Sequence, residues 1–259
     1  MKTVIRAAAA VAALLTCAAG LWPAAPGQPN NFRFAIVGDR TGEAKPGMYE
    51  KVWREVDRSH PDFVIDAGDV IQGGNDATAE RQWRETREVW RRYRYPLFFT
   101  PGNHDIWSAA SERLYEKYTG RPPFYSFNYQ DAHFTVLDNS RTENLGDDQM
   151  KFLERDLEQN RERNPKFVFF HRPALWLIPL KFQSGEFALH QLARKYRVAV
   201  VVSGHTHQFL RLERDGIVYL NAGSSGGHLR GSDPAQGWFF GWTLAVVKGT
   251  GVELTLKKL

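Results

Sequence analysis

Between residues 32 and 256, short apolar runs alternate with longer polar segments in which apolar residues recur at helical spacing, and no segment repeats. Five runs, at 32–37, 63–67, 97–100, 167–170 and 198–202, have the length and near-continuous apolar character of buried strands. Segments 46–59, 77–93, 111–118, 147–160 and 186–196 predict helices between or beside them. That alternation predicts an α/β protein. Three further pairs of runs read as hairpins: 124–129 with 133–138, 209–213 with 217–220, and 242–247 with 252–256, the last turned by Gly249 and Gly251.

A length of 259 residues allows one or two domains, and 42% hydrophobic residues with 22 Gly and 13 Pro exclude a disordered or collagenous chain. Lys2 and Arg6 precede the apolar run 7–19, and the small residues Ala18, Ala19 and Gly20 follow, the pattern of an export signal. The expected organisation is therefore an export signal and start of a linker at 1–26 and one domain at 27–259, with the folded part beginning near Phe32. An exported protein, periplasmic or extracellular, is expected, and an uncleaved membrane anchor extended through Leu21 and Trp22 is the alternative. No later segment is apolar enough to span a bilayer, so no membrane span is expected in the mature domain. Cys17, the single cysteine, lies in this leader, which leaves the mature chain without a disulfide. Thr16 before it fits a lipid-attachment motif poorly, so a simple cleaved signal is preferred. The formal charge of +5 falls to three without Lys2 and Arg6, too weak to argue for nucleic-acid binding, and none is expected.

The chemistry lies where the five strand runs stop. Gly38-Asp39 follows the first, Gly68-Asp69 the second, Gly102-Asn103-His104-Asp105 the third, His171-Arg172-Pro173 the fourth and Gly204-His205-Thr206-His207 the fifth. Carboxyl ends of strands in an open α/β sheet share one edge, where ligands bind, so these groups are expected to converge. Two Asp, three His and one Asn suit Mn, Fe or Zn. Each donor alone reads as a turn residue or a satisfied polar group; together they predict a metal site. A carboxylate between two cations about 3.5–4 Å apart bridges them, and such a pair stabilises displacement at phosphorus.

In this order, over nearly the whole mature chain, the motifs resemble those of the calcineurin-like metallophosphoesterases. The resemblance implies a layered sandwich of two mixed β-sheets flanked by helices, holding two divalent or trivalent transition-metal ions. It implies that Asp69 bridges the ions, Asp39 and His207 hold the first, and Asn103, His171 and His205 hold the second. His104 would stand outside the metal shell, steadying the phosphate or protonating the leaving oxygen, with Asp105 as its orienter. The implied reaction is hydrolysis of a small-molecule phosphomonoester or phosphodiester by hydroxide generated at the metals. The alternatives are a phosphoanhydride hydrolase acting on a nucleotide or lipid-linked diphosphate, or an inactive metal-stabilised binding module. The intact Asn103-His104 pair argues against the binding module.

The sequence departs from the family where many members carry G-D-x-H, since Gly38-Asp39-Arg40-Thr41 has no histidine there. Thr41, a carbonyl or water would fill the gap, and weaker binding of the first ion is expected. Gly68-Asp69-Val70-Ile71-Gln72-Gly73 lacks both the D-R-G of Ser/Thr protein phosphatases and the tyrosine of purple acid phosphatases, so neither subfamily and no ferric chromophore is expected. Arg40 and Arg172, each beside a candidate ligand, would contact a phosphate bidentately or else form structural ion pairs. His228, in the loop 223–228, is a candidate for substrate contact. His60, His133 and His190 are expected to be structural or solvent-facing. Trp107, Trp176, Trp238, Phe239 and Phe240 are candidate pocket walls, with burial as the default. The Arg- and Glu-rich helix at 77–94 reads as a solvated face.

Overall fold

The structure is a computed structural model that describes residues 29–259; the expected leader at 1–26, with Lys2, Arg6 and Cys17, lies outside the described residues. The chain runs through β1 (Asn31–Val37), α1 (Met48–Arg58), β2 (Phe63–Asp66), α2 (Asp76–Trp90), β3 (Leu97–Phe99) and α3 (Ala109–Thr119). Next come β4 (Tyr125–Tyr129), β5 (Ala132–Val136), α4 (Asp147–Gln159), β6 (Lys166–Phe169), α5 (Ala174–Lys181), α6 (Ala188–Lys195) and β7 (Val198–Ser203). Two antiparallel hairpins, β8 (Phe209–Arg214) with β9 (Ile217–Ala222) and β10 (Gly241–Lys248) with β11 (Gly251–Lys258), close it.

Both sheets are mixed, as expected. One has the order β11-β10-β1-β2-β3 and the other β4-β5-β6-β7-β9-β8. In the first, β1, β2 and β3 run parallel and β10 antiparallel to β1; in the second, β5, β6, β7 and β9 run parallel between the antiparallel edges β4 and β8. The apolar runs are continuous because both faces of each central strand are covered. Along β1, Phe34 and Ile36 enter the core between the sheets, while Ala35 and Val37 join Val52, Trp53 and Trp83 of α1 and α2 on the other face. Along β6, Phe167 and Phe169 point inward, while Val168 packs with Leu153 and Trp176. The result is four layers, helix-sheet-sheet-helix. Aromatic stacking joins the two sheets' inner faces: Phe98 lies 3.7 Å from Phe127 between ring centres, and Phe34 meets Phe134 edge-on at 5.3 Å.

Helix α5 is the element that the sequence pattern does not predict. Pro179 sits inside it, and proline removes a donor and crowds the preceding turn. Packing overrides that preference: Trp176 is fully buried, and its Nε1 donates to Ser203 Oγ at 3.0 Å. Trp176 is therefore a core residue rather than a pocket wall. Helix α2 is solvated on one side only, with Arg81 and Glu85 paired at 3.6 Å outside and Ala79, Trp83 and Trp90 buried. His60 is exposed, His133 is buried against Asn128 and Asp156, and His190 is buried against Tyr219 and Asp215. Among the described residues, no helix is long and apolar enough to cross a membrane.

Candidate metal centre

The parallel strands β1, β2, β3, β6 and β7 deliver their carboxyl-terminal loops to one edge of the sandwich. Asp39 follows β1, Asp69 follows β2, Asn103 and His104 follow β3, His171 follows β6, and His205 and His207 follow β7. Asp69, His205 and His207 have φ of 62°, 71° and 61°, left-handed conformations that non-glycine residues seldom adopt and that recur at functional sites. Glycines allow the loops to close on one another. A β-carbon at Gly102 would stand 2.2 Å from Asp69 Oδ1, and one at Gly204 would stand 2.8 Å from Asp39 Oδ2.

Two groups of donors result. Asp69, His171 and His205 offer ligand atoms that all lie within 4.8 Å of one another, and so do Asp39, Asp69 and His207. Asp69 belongs to both. His171 Nε2 lies 3.1 Å from Asp69 Oδ2, and His207 Nε2 lies 3.8 Å from Asp39 Oδ1. Ligands sharing an ion at bond lengths of about 2.0–2.2 Å have such separations. Asn103 Oδ1, His171 Nε2, His205 Nδ1 and His207 Nε2 are all buried without a hydrogen-bond partner. Each such atom costs about 1–3 kcal/mol if left unsatisfied, so four orphaned donors around two carboxylates fit a cation pair.

The second ring nitrogens are held. His171 Nδ1 faces the Ala67 carbonyl at 2.9 Å, and His207 Nδ1 faces the His228 carbonyl. Such contacts fix the tautomer that leaves Nε2 free to ligate. Burial pushes the Asp39 carboxyl up to about 7, with His171 opposing and Asp69 reinforcing the rise. Burial also raises Asp69, but the neighbouring His171 and His104 outweigh it and hold that carboxyl well below the ordinary range. His171 is lowered by burial yet driven up to about 9 by Asp69 and Asp39. Burial, then the charges of His171 and Arg172, push His205 down to about 3. His207 is lowered mainly by burial, with Arg230 adding to it. Charges of both signs are thus confined together out of water.

His104 is half-buried beside the carboxylates, its Nδ1 against the Gln72 carbonyl and its backbone amide 2.9 Å from Asp69 Oδ1. Asp105 does not orient it. The Asp105 carboxylate accepts the backbone amides of Asp69, Val70, Ile71 and Gly102 at 2.8–3.1 Å and so pins the second-motif loop to the third. Arg40 is engaged in the scaffold, donating to the Val70 carbonyl at 3.1 Å with its guanidinium over the Tyr49 ring, rather than left free for a phosphate. Thr41 is buried and its hydroxyl donates to Gln72 Oε1 at 2.6 Å. Arg172 remains at the rim, 3.4 Å from His205 Nε2 and paired with Glu143. His228 reaches the centre through its backbone carbonyl, while its side chain is in an exposed residue. Gln72 and Arg230 escape sequence reasoning. Gln72 follows a motif by three residues and joins three loops, but no local pattern announces that.

A sequence profile described as calcineurin-like phosphoesterase matches residues 32–209, more than half of the chain. Purple acid phosphatase 13 of Arabidopsis thaliana is 27% identical over 198 residues, covering 62% of this chain and 34% of that protein. A probable cyclic nucleotide phosphodiesterase of Synechococcus sp. is 27% identical over 169 residues, covering 61% of this chain and 62% of that one. The chain spans less than two thirds of the length of either relative. In three dimensions it is similar to the purple acid phosphatase PPD1 from yellow lupin (Lupinus luteus) seeds, with a TM-score of 0.67 and 19% identity over 90% of this chain and 52% of that one. That likeness shows the shared sandwich, while Val70-Ile71-Gln72-Gly73 after Asp69 still holds no tyrosine. From the motifs, the sandwich and the matched profile together, the chain belongs to the calcineurin-like phosphoesterase family.

Proposed function

We propose that the protein is a two-metal hydrolase of small phosphate esters. The observation that carries this reading is the pair of donor groups sharing Asp69, with four buried donor atoms that have no other partner. Asp39, Asp69 and His207 would hold one ion, and Asp69, Asn103, His171 and His205 the other. The nitrogen and oxygen donor set suits Mn, Fe or Zn. When bound, two such ions acidify water, polarise a phosphoryl oxygen and offset the charge of an in-line displacement.

The chain's own groups complete the site. His104 Nδ1 is occupied by the Gln72 carbonyl, which leaves Nε2 as the atom to protonate a departing alcohol. Arg172 at the rim supplies a guanidinium for a phosphoryl oxygen. Asp105 and Gln72 hold the loops on which Asp69, His104 and Thr41 sit. The relatives' names include both a phosphatase and a phosphodiesterase, which supports ester hydrolysis without choosing between mono- and diesters.

The test is turnover of an aryl phosphate and a bis-aryl phosphate by purified protein loaded with Mn, with metal content measured on the same sample. Hydrolysis that scales with bound metal supports the reading; a fully loaded protein that turns over neither ester overturns it. Residues 1–26 support export. Recovery of the native protein with an N-terminus beyond Gly20 fits a cleaved signal, and an intact Met1 in the membrane fraction favours the anchor instead.

A further inference from the structure

We propose that Arg230 is a phosphoryl-binding residue whose free guanidinium makes the site favour dianionic phosphomonoesters over monoanionic diesters. The proposal deepens the hydrolase reading and rests on it. Arg230 lies in the loop between β9 and β10, and that loop is tied to the centre by its backbone. Ser225 and Gly227 donate to the Asp39 carbonyl at 2.9 and 3.1 Å, His228 donates to the Gly42 carbonyl at 2.9 Å, and the His228 carbonyl meets His207 Nδ1. Arg230 follows that carbonyl by two residues, at most about 7 Å of extended chain. On its far side, Gly231 packs against the Trp238 ring, so close that a β-carbon there would lie 2.4 Å from the indole nitrogen. The loop is therefore held at both flanks of Arg230.

Arg230 is exposed and, among the described residues, makes no hydrogen bond, ion pair or aromatic contact. An unpaired cation there is poor company for two metal ions unless an anion joins them. Arg172 at the rim shares its charge with Glu143, whereas Arg230 has no carboxylate partner among the described residues. A phosphomonoester carries about −1.5 to −2 at neutral pH, whereas a diester keeps a single charge, so the same guanidinium favours the monoester.

The test compares wild type with Arg230→Gln and Arg230→Lys, each loaded with Mn. Three quantities are read: kcat/KM on an aryl phosphate and on a bis-aryl phosphate, affinity for inorganic phosphate by calorimetry, and bound metal. Arg230→Gln is expected to weaken phosphate binding and monoester kcat/KM by about tenfold or more, to affect the diester clearly less, and to leave metal content unchanged. Arg230→Lys should recover part of the loss. Equal losses on both esters, unchanged phosphate affinity, or a fall in bound metal overturns the assignment. If wild type hydrolyses neither ester, the hydrolase reading fails, and the phosphate affinities alone still decide the role of Arg230.

Discussion

Asp69 Oδ1 accepts the backbone amide of His104 at 2.9 Å while Oδ2 stands 3.1 Å from His171 Nε2. One carboxylate therefore belongs to both donor groups and also fixes the residue placed to meet a leaving group. Asp69→Asn should keep the fold, because Asp105 continues to hold the surrounding amides. Where loss of a group that merely supports a ligand costs about 10–100-fold, loss of this shared ligand should cost more. The check is metal content beside kcat, with circular dichroism on the same sample; normal metal and normal turnover would refute the site.

His104→Ala separates proton transfer from metal binding. Its kcat should fall by about 10²–10⁴ while both ions stay bound. The loss should shrink as the leaving alcohol becomes more acidic, since a stable alkoxide needs less help. A uniform loss across leaving groups would show that His104 positions the phosphate instead.

Metal titration should resolve two unequal affinities, because one group has a single imidazole and the other has two with Asn103. Equal tight binding at both would defeat this expectation. Protons compete for the same atoms: Asp39 is raised to about 7 and His171 to about 9. At about pH 8 only His171 still carries its proton, whereas at about pH 6 both groups do, so metal uptake releases more protons as pH falls and affinity falls with it. Calorimetry in buffers of different ionisation enthalpy measures that release.

Asp156, on the outer side of the second sheet, offers a pH effect independent of the centre. Burial pushes its carboxyl up, but His133, Thr135 and Ser126 outweigh burial and hold it below its ordinary 3.8. A lowered native value means stability that is present above the unfolded value and lost as pH falls through the native one. Asp156→Asn should cost about 1–3 kcal/mol at neutral pH, and the gap to wild type should close in acid. Urea unfolding at a series of pH values checks this; a gap that persists in strong acid would refute it.

The sandwich and the convergence of donors were legible because each candidate ligand follows an apolar run buried on both faces, and parallel strands place such run ends at one edge. The hairpins were legible for a related reason, since their turns are local. Helix α5 was hidden by Pro179, whose cost is outweighed by Trp176 packing that no local pattern encodes. The role of Asp105 is hidden because three of its four amide partners are 34 to 36 residues away, and adjacency to His104 suggests a contact that the turn directs elsewhere. For Arg40 the sequence leaves phosphate contact and a structural role both open, because standing next to Asp39 says nothing about where a long side chain goes. Arg230 carries no motif, and only the return of the loop after β9 brings it to the rim.

The left-handed backbone at Asp69, His205 and His207 sets thermal endurance against chemistry in this protein. Glycine at His207 would relieve a conformation costing about 1–2 kcal/mol for an ordinary residue and would discard an imidazole in the exchange. Selection for heat resistance alone would not preserve those three side chains, so a hardened variant that keeps them owes its gain to positions elsewhere.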